Sequence, residues 1–243
     1  MGGKNELQQA WADKNVWVLS KYYFNKELTP KQEYVVRIIA FHEELNIWRL
    51  CLSAMTRWGK TFCISIGIGL YYIKNRNKKT FFIGPFSDQA RILRDYMAER
   101  LMECPILLAD SDIELKGPET IRKEASKNRM TFTATGNEYR VFSAEGDGNR
   151  LMGHGLGSGG GVLVKDEAVL INEIANARIG RMAGDNPDKV LIIESFNPWN
   201  RDNKVSDHTE DPNWMYIHIG WEDAIKDGRT TKEFVEEQRR ELT

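Results

Sequence analysis

The sequence predicts an α/β fold in which a mainly parallel central sheet is flanked by helices, with a small hairpin added. Three observations carry the prediction. Strand-length runs such as Val162-Leu-Val and Val190-Leu-Ile-Ile are continuously apolar, the pattern of strands buried on both faces. Helical patterns of about ten to fifteen residues alternate with those runs, as in a sheet built from crossover units. The apolar run 48–52 leads through a small-residue turn to Gly59-Lys60-Thr61, and an apolar helical pattern follows from Phe62.

Residues 5–25 have helical spacing with Trp11, Trp17, Tyr22, Tyr23 and Phe24, and predict an N-terminal helix packed on the domain. Thr29 is a good N-cap and Pro30 suits the first helical position, so the next helix runs to about Glu44. After the strand at 48–52, the helix from Phe62 extends to about Lys74, and 75–79 is a basic loop. A second strand occupies 80–84. A helix over 87–104 has Ser87 or Asp88 as its cap and Pro105 as its stop.

A helix is expected over 119–127, and segments 129–134 and 139–143 alternate around Thr135-Gly-Asn-Glu as a hairpin. Residues 145–161 hold eight of the chain's twenty glycines and read as a long flexible loop, unable to pack as helix or strand. A buried strand at 161–165, a helix to about Met182, strands at 189–195 and 214–219 and a charged helix over 231–242 complete the chain. No internal repeat or long linker appears. Residues 1–243 are therefore expected to form one domain, with 1–27 as a helical extension.

Composition narrows the class. With 41% apolar and 28% charged residues, the chain is ordinary for a soluble protein. No apolar run nears the ~18 residues that span a membrane, and the polar start lacks the apolar core of a signal peptide. Cys51, Cys63 and Cys104 are spread out in apolar surroundings and read as buried thiols of a reducing cytoplasm. A net charge of −1 gives no global attraction to nucleic acid, so any such contact must be local. The four histidines show no metal-ligand spacing. The basic runs 74–79 and 122–129 are solvated faces or DNA-phosphate contacts.

Strand, loop, Gly59-Lys60-Thr61 and helix together form the architecture of a P-loop. Backbone N–H groups and the helix N-terminus there hold phosphate oxygens. Lys60 reaches the β- and γ-phosphates of ATP, and the Thr61 hydroxyl ligates Mg²⁺. Ala54 stands where the usual spacing has Gly, and its small side chain still lets a phosphate approach.

Asp166-Glu167 directly follow the strand at 161–165, at the carboxyl end where ligands of parallel sheets bind. Asp166 can hold Mg²⁺, and Glu167 can deprotonate the water that attacks the γ-phosphate. An isolated Asp-Glu would read as a solvated turn; behind a P-loop the pair predicts a Mg²⁺-dependent ATPase of the ASCE, RecA-like class.

Other candidates have plainer alternatives. Ser195 and Asn197 end a strand expected beside strand one, and could touch the γ-phosphate site or simply make a turn with Pro198. Arg57, inside the loop, could reach the γ-phosphate as an arginine finger in cis or face solvent. Gln32 could bind the adenine edge through its carboxamide or lie on the surface. Arg150, in the glycine loop, could act across a subunit interface or be solvated.

From about residue 22 to its end the chain resembles the N-terminal ATPase domain of tailed-bacteriophage large terminase subunits. Leu28-Thr-Pro-Lys-Gln32 resembles the adenine-recognising Q motif, and Ala54-Met-Thr-Arg57-Trp-Gly-Lys-Thr61 is similar to the family's modified Walker A. Ser143-Ala-Glu, the glycine loop and Val162-Leu-Val-Lys-Asp-Glu167-Ala resemble the approach to its Walker B. Ser195-Phe-Asn stands at the place of its coupling motif. Thr231-Lys-Glu-Phe-Val-Glu-Glu-Gln-Arg-Arg-Glu-Leu242 is similar to the helix before its nuclease domain. Two departures stand out. Leu151-Met-Gly153 replaces a Leu-Arg-Gly, leaving Arg150 as the nearest trans-acting arginine, and Phe196-Asn197 intervene before Pro198.

The resemblance implies a motor that drives double-stranded DNA into procapsids in the host cytoplasm. It implies a ring, pentameric in the family, docked on a portal protein and supplied with DNA by a small terminase subunit. The family's nuclease lies beyond such a domain, so no DNA cleavage is expected of this chain. Two rival readings are a helicase-type translocase, which needs a second core-like domain and stacking aromatics, and a nucleotide-gated scaffold without turnover.

Overall fold

The computed structural model describes residues 2–111, 128–184, 186–197 and 204–241. Within them seven strands form one sheet: β1 Arg49–Ala54, β2 Lys79–Gly84, β3 Arg129–Thr131, β4 Glu138–Ser143, β5 Gly161–Lys165, β6 Val190–Phe196 and β7 Met215–Ile219. Their order is β3-β4-β2-β5-β6-β1-β7. All neighbours run parallel except β3, which pairs antiparallel with β4 as Arg129 opposite Arg140 and Thr131 opposite Glu138. This is the expected hairpin. The continuous burial of β1, β2, β5 and most of β6 accounts for their unbroken apolar runs.

The helices are α1 Gly2–Ala12, α2 Val16–Phe24, α3 Pro30–Leu45, α4 Lys60–Lys74, α5 Ser87–Met102, α6 Pro105–Asp110, α7 Glu173–Met182, α8 Lys204–His208, α9 Trp221–Lys226 and α10 Lys232–Glu241. Thr29 caps α3 as expected and does so in a capping box, its hydroxyl accepting from the Gln32 N–H while the Gln32 side chain accepts from the Thr29 N–H. The first turn of α3 is thereby fixed from both ends. α4 is buried nearly all round, in keeping with its apolar composition. Gly67 lets α3 lie against it, since a Cβ there would stand 2.7 Å from Ile39 Cβ. Residues of α1 and α2 join the same apolar core, among them Ala10, Val16, Leu19 and Phe24.

Several expectations change. The single helix over 5–25 is two helices, because Lys14 turns left-handed (φ 53°) and Asn15 caps a new start by accepting from the Val18 N–H. Trp17 and Tyr22 remain exposed while Tyr23 and Phe24 enter the core. Pro105 does follow the end of α5, but it also opens α6, where a missing N–H costs nothing. Neither Ser87 nor Asp88 caps α5; Phe86 holds that position, and the Ser87 hydroxyl donates to Glu145 Oε2 at 2.6 Å.

The glycine loop is more structured than its composition predicts. A 3-10 segment spans Gly146–Leu151, with Leu151 and Leu156 buried, and Arg178 of α7 donates to Asp147 O at 2.8 Å and to Asn149 Oδ1 at 2.5 Å. The stretch from β5 to Met182 is not one helix: a 3-10 turn at Ala168–Leu170 precedes α7, which Asn172 caps. The helix expected over 119–127 and the turn at Pro198 lie outside the described residues. The three cysteines are buried and unpaired, as expected. No helix among the described residues is long and apolar enough to cross a membrane.

Candidate active site

β6 lies between β1 and β5, so the carboxyl ends of three strands meet at one edge of the sheet. β1 ends at Ala54, β5 delivers Asp166 and Glu167, and β6 delivers Ser195 and Asn197. Sites of open parallel sheets form at such an edge.

The loop from β1 to α4 needs two left-handed residues, Arg57 (φ 68°) and Gly59 (φ 111°). Glycine adopts such a φ freely, whereas at Arg57 it is a strained conformation that the surroundings must hold. Trp58 between them is fully buried, and Arg57 itself points out as an exposed residue. The Met55 N–H donates to Ile219 O at the end of β7, tying the loop to the sheet.

Lys60 is the first residue of α4 and is 8% exposed. Its ammonium donates to Ala54 O at 3.2 Å and to Asn197 Oδ1 at 2.6 Å, and it stands 3.9 Å from Glu167 Oε1. Burial lowers its pKa, opposed by the Glu167 and Asp166 carboxylates. Thr61 follows it, half-buried.

Asp166 is buried and accepts at Oδ1 from the Ser195 hydroxyl at 2.5 Å. Burial pushes its pKa up; the Ser195 hydrogen bond, Lys60 and a backbone N–H pull the other way. Glu167 sits in the left-handed region (φ 46°) and accepts at Oε1 from Asn197 Nδ2 at 3.0 Å. Burial raises its pKa, Lys60 lowers it and Asp166 raises it further. A carboxylate with a raised pKa is a better proton acceptor near neutral pH.

Thr61 and Asp166 supply a hydroxyl and a carboxylate, the hard oxygen donors that Mg²⁺ takes. A buried carboxylate held by the Ser195 hydroxyl and a backbone N–H, with no guanidinium or ammonium among the described residues hydrogen-bonded to it, fits that use. The structure thus gathers Ala54, Gly59, Lys60, Thr61, Asp166, Glu167, Ser195 and Asn197 at one edge. Arg150 is exposed in the 3-10 segment of the glycine loop. Gln32 is not on the surface: it is fully buried, and its Nε2 donates to Trp58 O at 3.2 Å.

Other residues around the site carry no sequence signal. Asp227 Oδ2 accepts from the Trp58 indole N–H at 2.9 Å and from the Thr29 hydroxyl at 2.8 Å. Arg229 donates to Gln32 Oε1 at 3.0 Å. On the opposite face of β5 and β6, Lys165 donates to Glu194 Oε1 at 2.7 Å, and His208 Nδ1 lies 2.7 Å from Glu194 Oε2. The His208 ring stacks on Trp214 at 4.1 Å. Most of these partners lie far apart in sequence, and a large Trp58 inside a small-residue loop is the one local feature that points to a covering contact.

The basic run 74–79 is largely engaged within the chain. Lys74 pairs with Glu44, Lys78 with Glu43 at 2.8 Å, and Arg76 donates to Ala134 O at 3.2 Å. Of the run 122–129 only the last two residues are described, and there Arg129 pairs with Glu138 at 3.0 Å.

No protein-family model and no curated protein matches the chain. Solved structures do. The large terminase of a thermophilic bacteriophage in complex with ADP matches with a TM-score of 0.62 at 15% identity, over 88% of this chain and 50% of that one. The HK97 bacteriophage large terminase matches with a TM-score of 0.58 at 20% identity, over 80% of this chain and 39% of that one. The ATPase domain of the Thermus phage P74-26 large terminase matches with a TM-score of 0.54 at 17% identity, over 79% and 82%. The chain thus spans about half the length of the ADP-bound terminase. Over the matched region its fold is that of these phage large terminases, the P74-26 ATPase domain among them.

Proposed function

We propose that this chain hydrolyses ATP as the motor module of a viral DNA-packaging machine. The observation that carries the reading is the bridge made by Asn197, which touches the loop amine of Lys60 and the carboxylate of Glu167 at once. A triphosphate entering the loop would compete for that amine, so nucleotide state and the position of the base are linked through one side chain.

In the reaction, a water held by Glu167 loses its proton to that carboxylate as its oxygen attacks the γ-phosphorus. The bond from the γ-phosphorus to the bridging oxygen breaks, and ADP leaves. Lys60 and the loop N–H groups hold the charge that develops on the phosphate oxygens, and the exposed Arg57 would have to turn inward to add a guanidinium in cis. Thr61 and Asp166 would hold Mg²⁺, which would supply positive charge against the phosphate oxygens. Ser195 orients Asp166, and Asn197 transmits the state of the site to the segment after β6.

The partners follow from the terminase likeness: double-stranded DNA, a portal protein, a small terminase subunit and further copies of the chain in a ring, working at the portal in the host cytoplasm. Arg150 is our candidate for the residue that one copy lends to its neighbour. This role predicts slow turnover by the dilute chain.

The test is steady-state ATP hydrolysis by the wild type and by Glu167→Gln, across protein concentration, with and without double-stranded DNA. We expect the variant to lose roughly 10²–10⁴-fold in turnover and the wild-type rate to rise more than linearly with concentration. Equal turnover in both proteins would overturn the catalytic assignment. A linear rate stimulated only by single strands would favour a helicase-type translocase.

A further inference from the structure

We propose that Gln32 is a positioning residue for the phosphate loop rather than a reader of the nucleotide base, and that it works with Asp227 and Arg229 as a strap closing over Trp58. The inference rests on the phosphate-loop reading above.

The strap joins three segments distant in sequence: the start of α3, the loop and the turn after α9. Gln32 Oε1 accepts from the Thr29 N–H at 3.2 Å and from Arg229 at 3.0 Å, which uses both lone pairs of the carbonyl. One hydrogen of Nε2 goes to Trp58 O. Bidentate recognition of an adenine edge needs a free acceptor and a free donor on the same amide, and here the acceptor is already taken. The amide is also fully buried, and a Cβ on Gly59 would stand 3.2 Å from its Nε2, so the group is packed under the loop.

The target of the strap is the strained part of the loop. Trp58 sits between the two left-handed residues, and is gripped at its carbonyl by Gln32 and at its indole N–H by Asp227. Asp227 is in turn held by the Thr29 hydroxyl. A strained backbone persists only where its neighbours over-determine it, and these contacts do so. The strap contacts the loop and not the nucleotide. Its loss should therefore weaken every nucleotide that uses the loop, whatever the base.

The experiment measures binding of Mg-ATPγS and Mg-GTPγS by this chain and by Gln32→Leu, Trp58→Phe, Asp227→Asn and the Trp58→Phe/Asp227→Asn pair. Melting temperatures are recorded alongside, and Lys60→Ala serves as the reference. Trp58→Phe removes the indole N–H while keeping an aromatic ring, and keeps the test open if Gln32→Leu does not fold.

We expect each strap variant that folds to weaken both nucleotides by the same factor, roughly tenfold for one lost hydrogen bond to a charged group. The pair should lose less than the sum of the single losses, because the Trp58–Asp227 contact is common to both changes. Gln32→Leu weakening ATPγS alone would make Gln32 a base reader and overturn the proposal. So would a wild type that binds ATPγS and not GTPγS. Wild-type binding by the strap variants beside loss in Lys60→Ala would overturn the strap and leave the phosphate loop standing. Unchanged binding in Lys60→Ala would overturn the phosphate-loop reading itself.

Discussion

The Asn197 amide oxygen lies 2.6 Å from the Lys60 ammonium, and the amide nitrogen of the same side chain donates to Glu167. Removing the amide frees Lys60 for phosphate and releases the base from its orienting contact. For Asn197→Ala we expect nucleotide affinity equal to or above wild type and turnover lower by roughly tenfold or more, the equivalent of one charged hydrogen bond. Isothermal titration paired with single-turnover hydrolysis separates the two effects; a fall in affinity with unchanged turnover would contradict this role.

Lys165 and Glu194 form a buried ion pair at the carboxyl ends of β5 and β6, with Glu194 1% exposed. Lys165→Met leaves the buried Glu194 with His208 as its remaining partner, so it should cost less than the ~3–5 kcal/mol of a fully stranded charge. Urea denaturation measures it. Lys165→Met/Glu194→Leu should recover part of the loss, because no buried charge is then stranded.

Glu194 also sets an acid limit. Burial alone would raise its pKa, but the His208 hydrogen bond and Lys165 outweigh burial and hold it below the usual carboxylate value. A carboxyl depressed in the folded state contributes stability above its unfolded pKa, near 4.3, and loses it as pH falls through the folded value. Melts between pH 7 and pH 3 should therefore fall more steeply for the wild type than for Glu194→Gln.

His42 acts at a higher pH. It is fully buried with Nδ1 2.9 Å from Ile39 O, and its Nε2 has no hydrogen-bond partner among the described residues. Burial pulls its pKa below the ordinary histidine value. The unfolded chain therefore binds a proton that the folded chain resists, and stability is lost as pH drops below the unfolded pKa of about 6.5. Melting temperature measured from pH 8 to pH 5 should decline in the wild type and decline less in His42→Phe.

Gly67 is the contact point between α3 and α4. Alanine favours a helix by about 1 kcal/mol over glycine, yet its Cβ would meet Ile39 Cβ at 2.7 Å. Overpacking of this kind typically costs about 1–3 kcal/mol, so Gly67→Ala should lower the melting temperature despite the better propensity. Calorimetry decides which effect wins.

Sequence by itself determined the parts of this protein whose physics is local. Continuous apolar runs specify doubly buried strands, Thr29-Pro30 specifies the start of α3, and Gly59-Lys60-Thr61 and Asp166-Glu167 mark chemistry at two strand ends. Adjacent residues encode these features. Where the signal was composition alone it misled: glycine content predicted a loose loop at 145–161, whereas Arg178 and two buried leucines hold part of it in a 3-10 turn. Tertiary structure alone decided which distant side chains meet. Asn197 reaches Lys60 and Glu167 because β6 lies between β1 and β5. Asp227 and Arg229 close over Trp58 and Gln32 across 169 and 197 residues. Gln32 thus gains a buried role that spacing could not assign, because hydrogen-bond partners are fixed by the packing of segments that sequence keeps far apart.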